Sequence, residues 1–167
     1  RHYVEHYLSD YRKPPGFDDL VARLHAAKTG YYTEMLAQGG IPLRPGVRRL
    51  LAEARAAKLR LAIATTTTPA NVSALLQHTL GPEAESWFEV IGAGDVVPAK
   101  KPAPDIYYYV LERLGLPASA CLAFEDSENG VRAARAAGLK TVVTVNDYTR
   151  THDFTGAAIV LDHLGEA

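Results

Sequence analysis

Residues 122–130 read Leu-Ala-Phe-Glu-Asp-Ser-Glu-Asn-Gly and set two adjacent carboxylates, Glu125 and Asp126, directly after an apolar run. One acid suffices to cap a helix, and Ser127 or Asp126 could do so for a helix beginning near Glu128. A pair of hard oxygen donors suits Mg²⁺, which is held by one or two carboxylates together with phosphate oxygens. Two other segments carry complementary chemistry. Thr65, Thr66, Thr67 and Thr68 line up ahead of Pro69, a residue suited to the first helical position. Hydroxyls and unpartnered N–H groups at a helix N-terminus attract an anion, although Thr68 could merely cap and the other threonines could merely end a strand. Lys100 and Lys101 stand before Pro102, where the ordinary reading of a loop lysine is a solvated surface charge. Hydroxyls, a lysine and an acid pair in one crevice would together describe a phosphate bound with magnesium.

That convergence needs elements to deliver it. From Gly46 onward, helix-period and continuous apolar segments alternate. Val47, Leu50, Leu51 and Ala54 recur on one helical face, and residues 59–65 then read as a buried strand. Residues 69–81 return to helix and 88–94 to strand. A helix over 102–115 is closed by Gly115, a strand covers 121–126, and a helix from 128 is closed by Gly138. Residues 140–145 form a further strand, and 157–162 a short edge strand. Strands separated by helices of this length predict right-handed βαβ units, an α/β fold with a doubly wound parallel sheet. Sites in such sheets lie at the carboxyl ends of the strands, where all three polar segments fall. Residues 1–43 differ: they are helical in pattern with no strand candidate, broken by Pro14, Pro15 and Gly16, and joined to the rest by the linker 39–46.

Composition narrows the partners. The 167 residues carry a net charge of −1, and 47% of them are hydrophobic, enough for one sizeable core. No basic face or charge run points to nucleic acid or an anionic membrane, and no apolar stretch is long enough to span a bilayer. The expected partner is a small molecule and the expected state a monomer. Cys121 is the only cysteine, so no internal disulfide can form; a reducing, cytoplasmic location is the expectation.

The order IATTTT, KKPAPDIY, FEDSENG resembles the haloacid dehalogenase-like phosphohydrolases, whose later motifs are a strand-ending Ser/Thr, a Lys and an acid pair. HAAKTGYYTEML, PLRPGVRRLL and DYTRTHDFTGA, in correct order, further resemble the CbbY-type xylulose-1,5-bisphosphate phosphatases associated with carbon fixation. The resemblance implies a core of residues 44–167 and the C-terminal part of a helical cap in residues 1–43. It implies that Thr65 bonds the transferring phosphoryl group, that Lys101 neutralises it, and that Asp126 binds Mg²⁺ with Glu125 ligating directly or through water. Thr66, Thr67 and Asn71 resemble a phosphate-holding loop, and His25 and Lys28 resemble cap residues that grip the distal end of the substrate; for these two a solvated helix face is the alternative. Arg44 in the linker could also reach a phosphate but is not counted among the expected site residues.

The family's first motif, Asp-x-Asp-Gly-Thr, supplies the nucleophile and the general acid/base, and it has no counterpart here. Asp10 lacks a preceding apolar strand and a second carboxylate, and Asp147 follows the last main strand. The sequence is therefore expected to begin inside the cap and to lack the strand between those ending at Thr65 and Asp126. The implied reaction is hydrolysis of a sugar phosphate through an aspartyl-phosphate whose nucleophile lies elsewhere, with these residues alone inactive. A β-phosphoglucomutase-like or phosphoglycolate phosphatase-like enzyme is the alternative, as is a non-catalytic phosphate-binding module. A receiver-type signalling domain is disfavoured because its acid pair comes early in the chain, not last.

Overall fold

The computed structural model describes residues 15–165. A long helix α1 (Phe17–Ala37) is followed by α2 (Val47–Ala56), β1 (Leu61–Ala64), α3 (Pro69–Leu80), β2 (Phe88–Gly92), α4 (Asp105–Leu114), β3 (Leu122–Glu125), α5 (Glu128–Ala136), β4 (Lys140–Thr144) and β5 (Ile159–Leu161). The expected alternation holds, with shorter strands. β1 starts at Leu61 because the last turn of α2 runs on: Lys58 N–H donates to Arg55 O and Leu59 N–H to Ala54 O, so Leu59 has no donor for a ladder and remains exposed. The helix expected ahead of Pro14 lies outside the described residues.

All strand pairs are parallel, as βαβ connections require, but they form two blocks, β1–β2 and β3–β4–β5. Helix α4 bridges the blocks on one face. Its Val110 and Leu114 pack with Val90 and against Ala62 and Ala64, while Ile106 and Tyr107 pack with Ala123 of β3 and Ala133 and Ala134 of α5. Helix α3 covers the opposite face of the first block, with Val72 and Leu76 against Ile63 and Ile91.

The same face of β3 is less covered, and Leu122 and Phe124 stay 52% and 46% exposed. Helix α2 has the expected apolar stripe, yet none of its residues is buried. The linker is fastened to the far block. Arg44 donates to Thr144 O and Oγ1, to Val145 O and to Asp162 O. Gly46, with φ +81°, lies so close to Leu164 O that a Cβ would overlap it. With both terminal nitrogens engaged there, Arg44 is fastened to the ends of β4 and β5.

Candidate active site

The four threonines after β1 have different surroundings. Thr65 extends the ladder by donating its N–H to Gly92 O at 2.8 Å, and its Oγ1 accepts the Thr67 N–H at 3.2 Å, which turns the chain. Thr68 is the N-cap of α3, with Oγ1 accepting from Asn71 N–H at 3.3 Å and Pro69 following in the first turn. The capping reading of Thr68 is therefore correct, but it does not extend to its neighbours. Thr66 is exposed, and Thr67 Oγ1 accepts from Asn71 Nδ2 at 3.0 Å. Asn71 itself is buried, with Oδ1 unpartnered, so it holds Thr67 from below the loop surface.

At the centre, Lys101 ties the two sheet blocks together. Its Nζ donates to Ala64 O, the last carbonyl of β1, at 2.9 Å and to Glu125 Oε1, at the end of β3, at 2.5 Å. Both side chains are largely withdrawn from solvent, 14% and 6% exposed, so the pair is far less screened than a surface ion pair. Tyr107 donates its phenolic O–H to the same Glu125 oxygen, and the ammonium sits 4.9 Å from the centre of the Tyr107 ring. Burial first, and the Glu125 charge second, push the Tyr107 phenol well above its usual range, so it remains a donor. Glu125 is also pressed over Gly130, where any Cβ would overlap Oε2.

Sequence reading missed Tyr107 and Gly130. The signal for Tyr107 was present: Ile106, Tyr107, Val110 and Leu114 form the inward stripe of α4, and a phenol on a buried stripe needs a polar partner. Lys100 faces away from this cluster, pairing with Asp95 at 2.8 Å and with Gly94 O. The Lys100 hydrogen bond and charge hold the exposed Asp95 carboxyl below its ordinary range, with a smaller contribution from the charge of His25.

Asp126 is the freer member of the acid pair. Ser127 takes the capping role for α5, its Oγ accepting from Gly130 N–H at 3.3 Å, which leaves Asp126 exposed with a long hydrogen bond from Asn146 Nδ2 at 3.4 Å. One free carboxylate beside a charge-paired one fits Mg²⁺, which takes few protein carboxylates and fills its shell with water and phosphate oxygens. Among the described residues no group of three or more His, Cys, Asp or Glu converges. Asp126 could thus offer one carboxylate to a metal shell, not a complete one.

His25 and Lys28 lie exposed on α1, three residues apart and so on neighbouring positions of one face. Helix α1 packs against α3, and the first turn of α3 lies beside the loop after β2. Gly94 of the same loop lies against Thr67 and Thr68. Among the described residues, no hydrogen bond or ion pair joins His25 or Lys28 to the Lys101 cluster. No helix among them is long and apolar enough to cross a membrane.

Residues 5–138 match the family profile of haloacid dehalogenase-like hydrolases. The chain is 55% identical over 148 residues to the plasmid-encoded Protein CbbY of Cupriavidus necator, a match covering 89% of this chain and 58% of that protein. It is 56% identical over 140 residues to Protein CbbY of Rhodobacter capsulatus, covering 84% and 62%. The chain thus spans about three-fifths of the length of these relatives. The fold matches a crystal structure of a CbbY mutant from Rhodobacter sphaeroides in complex with xylulose-1,5-bisphosphate, with TM-score 0.82 and 47% identity, covering 86% of this chain and 64% of that one. CbbY from the same organism in complex with phosphate gives TM-score 0.83 at 44% identity, covering 98% and 70%.

Proposed function

Because this chain belongs to the haloacid dehalogenase-like hydrolase family, we propose that the full-length protein is a Mg²⁺-dependent phosphatase acting on a sugar bisphosphate, with xylulose-1,5-bisphosphate the first candidate. The observation that carries this reading is the Lys101 bridge between the ends of β1 and β3, in a fold similar to a CbbY that binds xylulose-1,5-bisphosphate. In this reading residues 1–43 contribute to a cap and residues 44–167 form the core.

The nucleophile is a carboxylate on a strand seated between β1 and β3, whose facing edges do not pair with each other. It attacks phosphorus, the P–O bond to the sugar breaks, and the sugar oxygen leaves protonated by a neighbouring acid. Water then attacks phosphorus and releases inorganic phosphate, restoring the carboxylate. The barrier is governed mainly by charge placement. Lysine has three N–H donors, of which Lys101 commits two to Ala64 O and Glu125, leaving one for a phosphoryl oxygen. The Thr65 hydroxyl and the exposed Thr66 donate from the other side, with Thr67 kept in place by Asn71. Asp126 would hold Mg²⁺, with Glu125 contributing through water, and the ion would supply positive charge to the phosphoryl oxygens. His25 and Lys28 take the distal phosphate.

The test is phosphate release by the full-length protein from xylulose-1,5-bisphosphate and phosphoglycolate, with and without Mg²⁺, beside conversion of β-glucose-1-phosphate. Mg²⁺-dependent release with the highest kcat/KM for the bisphosphate is expected. A preference for phosphoglycolate, or isomerisation of the hexose phosphate, would replace the substrate assignment. Binding without turnover would leave a phosphate-binding module.

A further inference from the structure

We propose that Tyr107 is a positioning residue of this site, fixing Glu125 by its phenolic hydroxyl so that Glu125 in turn fixes the Lys101 ammonium. The inference rests on the phosphatase reading of the Lys101 site.

Glu125 Oε1 accepts from both Lys101 Nζ and Tyr107 Oη, and its Oε2 lies over Gly130 where a side chain would not fit. The carboxylate is thus restrained from three directions: by a cation, by a neutral donor, and by a helix turn that approaches closely because it carries no Cβ. Rotation of Glu125 would break its bond to Lys101 or to Tyr107. Lys101 has four rotatable side-chain bonds, and a flexible ammonium aimed at a reacting group gains most from being held in advance. Its two fixed acceptors, Ala64 O and Glu125 Oε1, define where its third N–H points. The ring of Tyr107 adds a surface for the ammonium. The next two tyrosines of α4 do not share this role: Tyr108 is half exposed and donates to Ala136 O, while Tyr109 stacks with the Arg113 guanidinium.

Tyr107→Phe removes only the hydroxyl and keeps the ring. In the full-length enzyme kcat should fall on the order of tenfold, the effect of losing a hydrogen bond to a charged group, with KM changed by less than about twofold. The same substitution in a Lys101→Ala background, assayed at saturating Mg²⁺ so that any effect through the water-mediated contribution of Glu125 to the metal is masked, should produce almost no further loss, because the hydroxyl then acts through that lysine. Gly130→Ala approaches the same carboxylate independently and should show the same split and the same silence in the Lys101→Ala background. Full kcat in Tyr107→Phe, or an equal loss with and without Lys101, would overturn the proposal while leaving a working phosphatase. If Tyr107→Phe does not fold, the Gly130→Ala pair decides by the same criteria. An inactive wild-type enzyme would instead remove the phosphatase reading on which the proposal stands.

Discussion

Lys100 and Lys101 are adjacent, yet their charges are used differently. Lys100 is bound to an exposed carboxylate and a loop carbonyl, whereas Lys101 is largely withdrawn from solvent between the ends of two strands. Lys101→Ala in the full-length enzyme should lower kcat on the order of 10² to 10³, as removal of one preorganised electrostatic donor does. Lys100→Ala should leave kcat within about threefold, since exposed ion pairs contribute little. Steady-state rates on the two variants check both. Tyr107 makes a prediction about pH. Its folded pKa is raised, so the folded state keeps its proton where the unfolded chain, with an ordinary value of 10.0, releases one. The contribution is therefore fully present below about pH 10 and declines as pH rises above it. Denaturant unfolding from pH 8 to pH 11 should show a steeper loss of stability in the wild type than in Tyr107→Phe. The threonine run, the lysine pair and the acid pair could be read from residue type and spacing, whereas only the family resemblance singled out Thr65 and Lys101. The partners of Glu125 could not, because Tyr107 lies 18 residues and Gly130 five residues from it and only the packing of α4 and α5 brings both to one carboxylate.

At the scale of elements, each strand end hands its polar groups to a helix start, and there capping and chemistry compete for the same side chains. In α5 the competition is resolved by Ser127, and in α3 by Thr68, leaving Asp126 and Thr65 to Thr67 for other work. Ser127→Ala should therefore cost about 1 kcal/mol of stability, the usual value of an N-cap, with kcat within about threefold of wild type. Asp126→Ala should do the reverse, with stability little changed but the Mg²⁺ requirement raised and turnover nearly lost. Thermal unfolding and Mg²⁺ titrations of activity on the two variants separate the roles. The helices and strands were legible because their apolar periods are strong and because Gly115 and Gly138 close α4 and α5 where expected. The late start of β1 was not, since Leu59 looks like a strand residue until the end of α2 takes its N–H.

At the scale of the molecule, two parallel blocks share α4 and the Lys101 bridge, and α1 packs against α3. Pattern gave the α/β class and the parallel direction, whereas the division into blocks depends on which edges find partners in space. The same arrangement sets the distance logic of substrate choice. In the proposed reading the chemistry belongs to the strand ends, and Lys28 lies exposed on α1, which packs against α3. A substrate with phosphates at both ends would engage both places, and a small monophosphate only the first. Our central claim, that the full-length protein grips a sugar bisphosphate at two ends, is tested most directly by kcat/KM of Lys28→Ala on xylulose-1,5-bisphosphate and on phosphoglycolate. The account predicts a loss on the order of tenfold or more for the bisphosphate, as for a charged hydrogen bond removed, and less than about twofold for phosphoglycolate. Equal losses on the two substrates, or none on either, would contradict it.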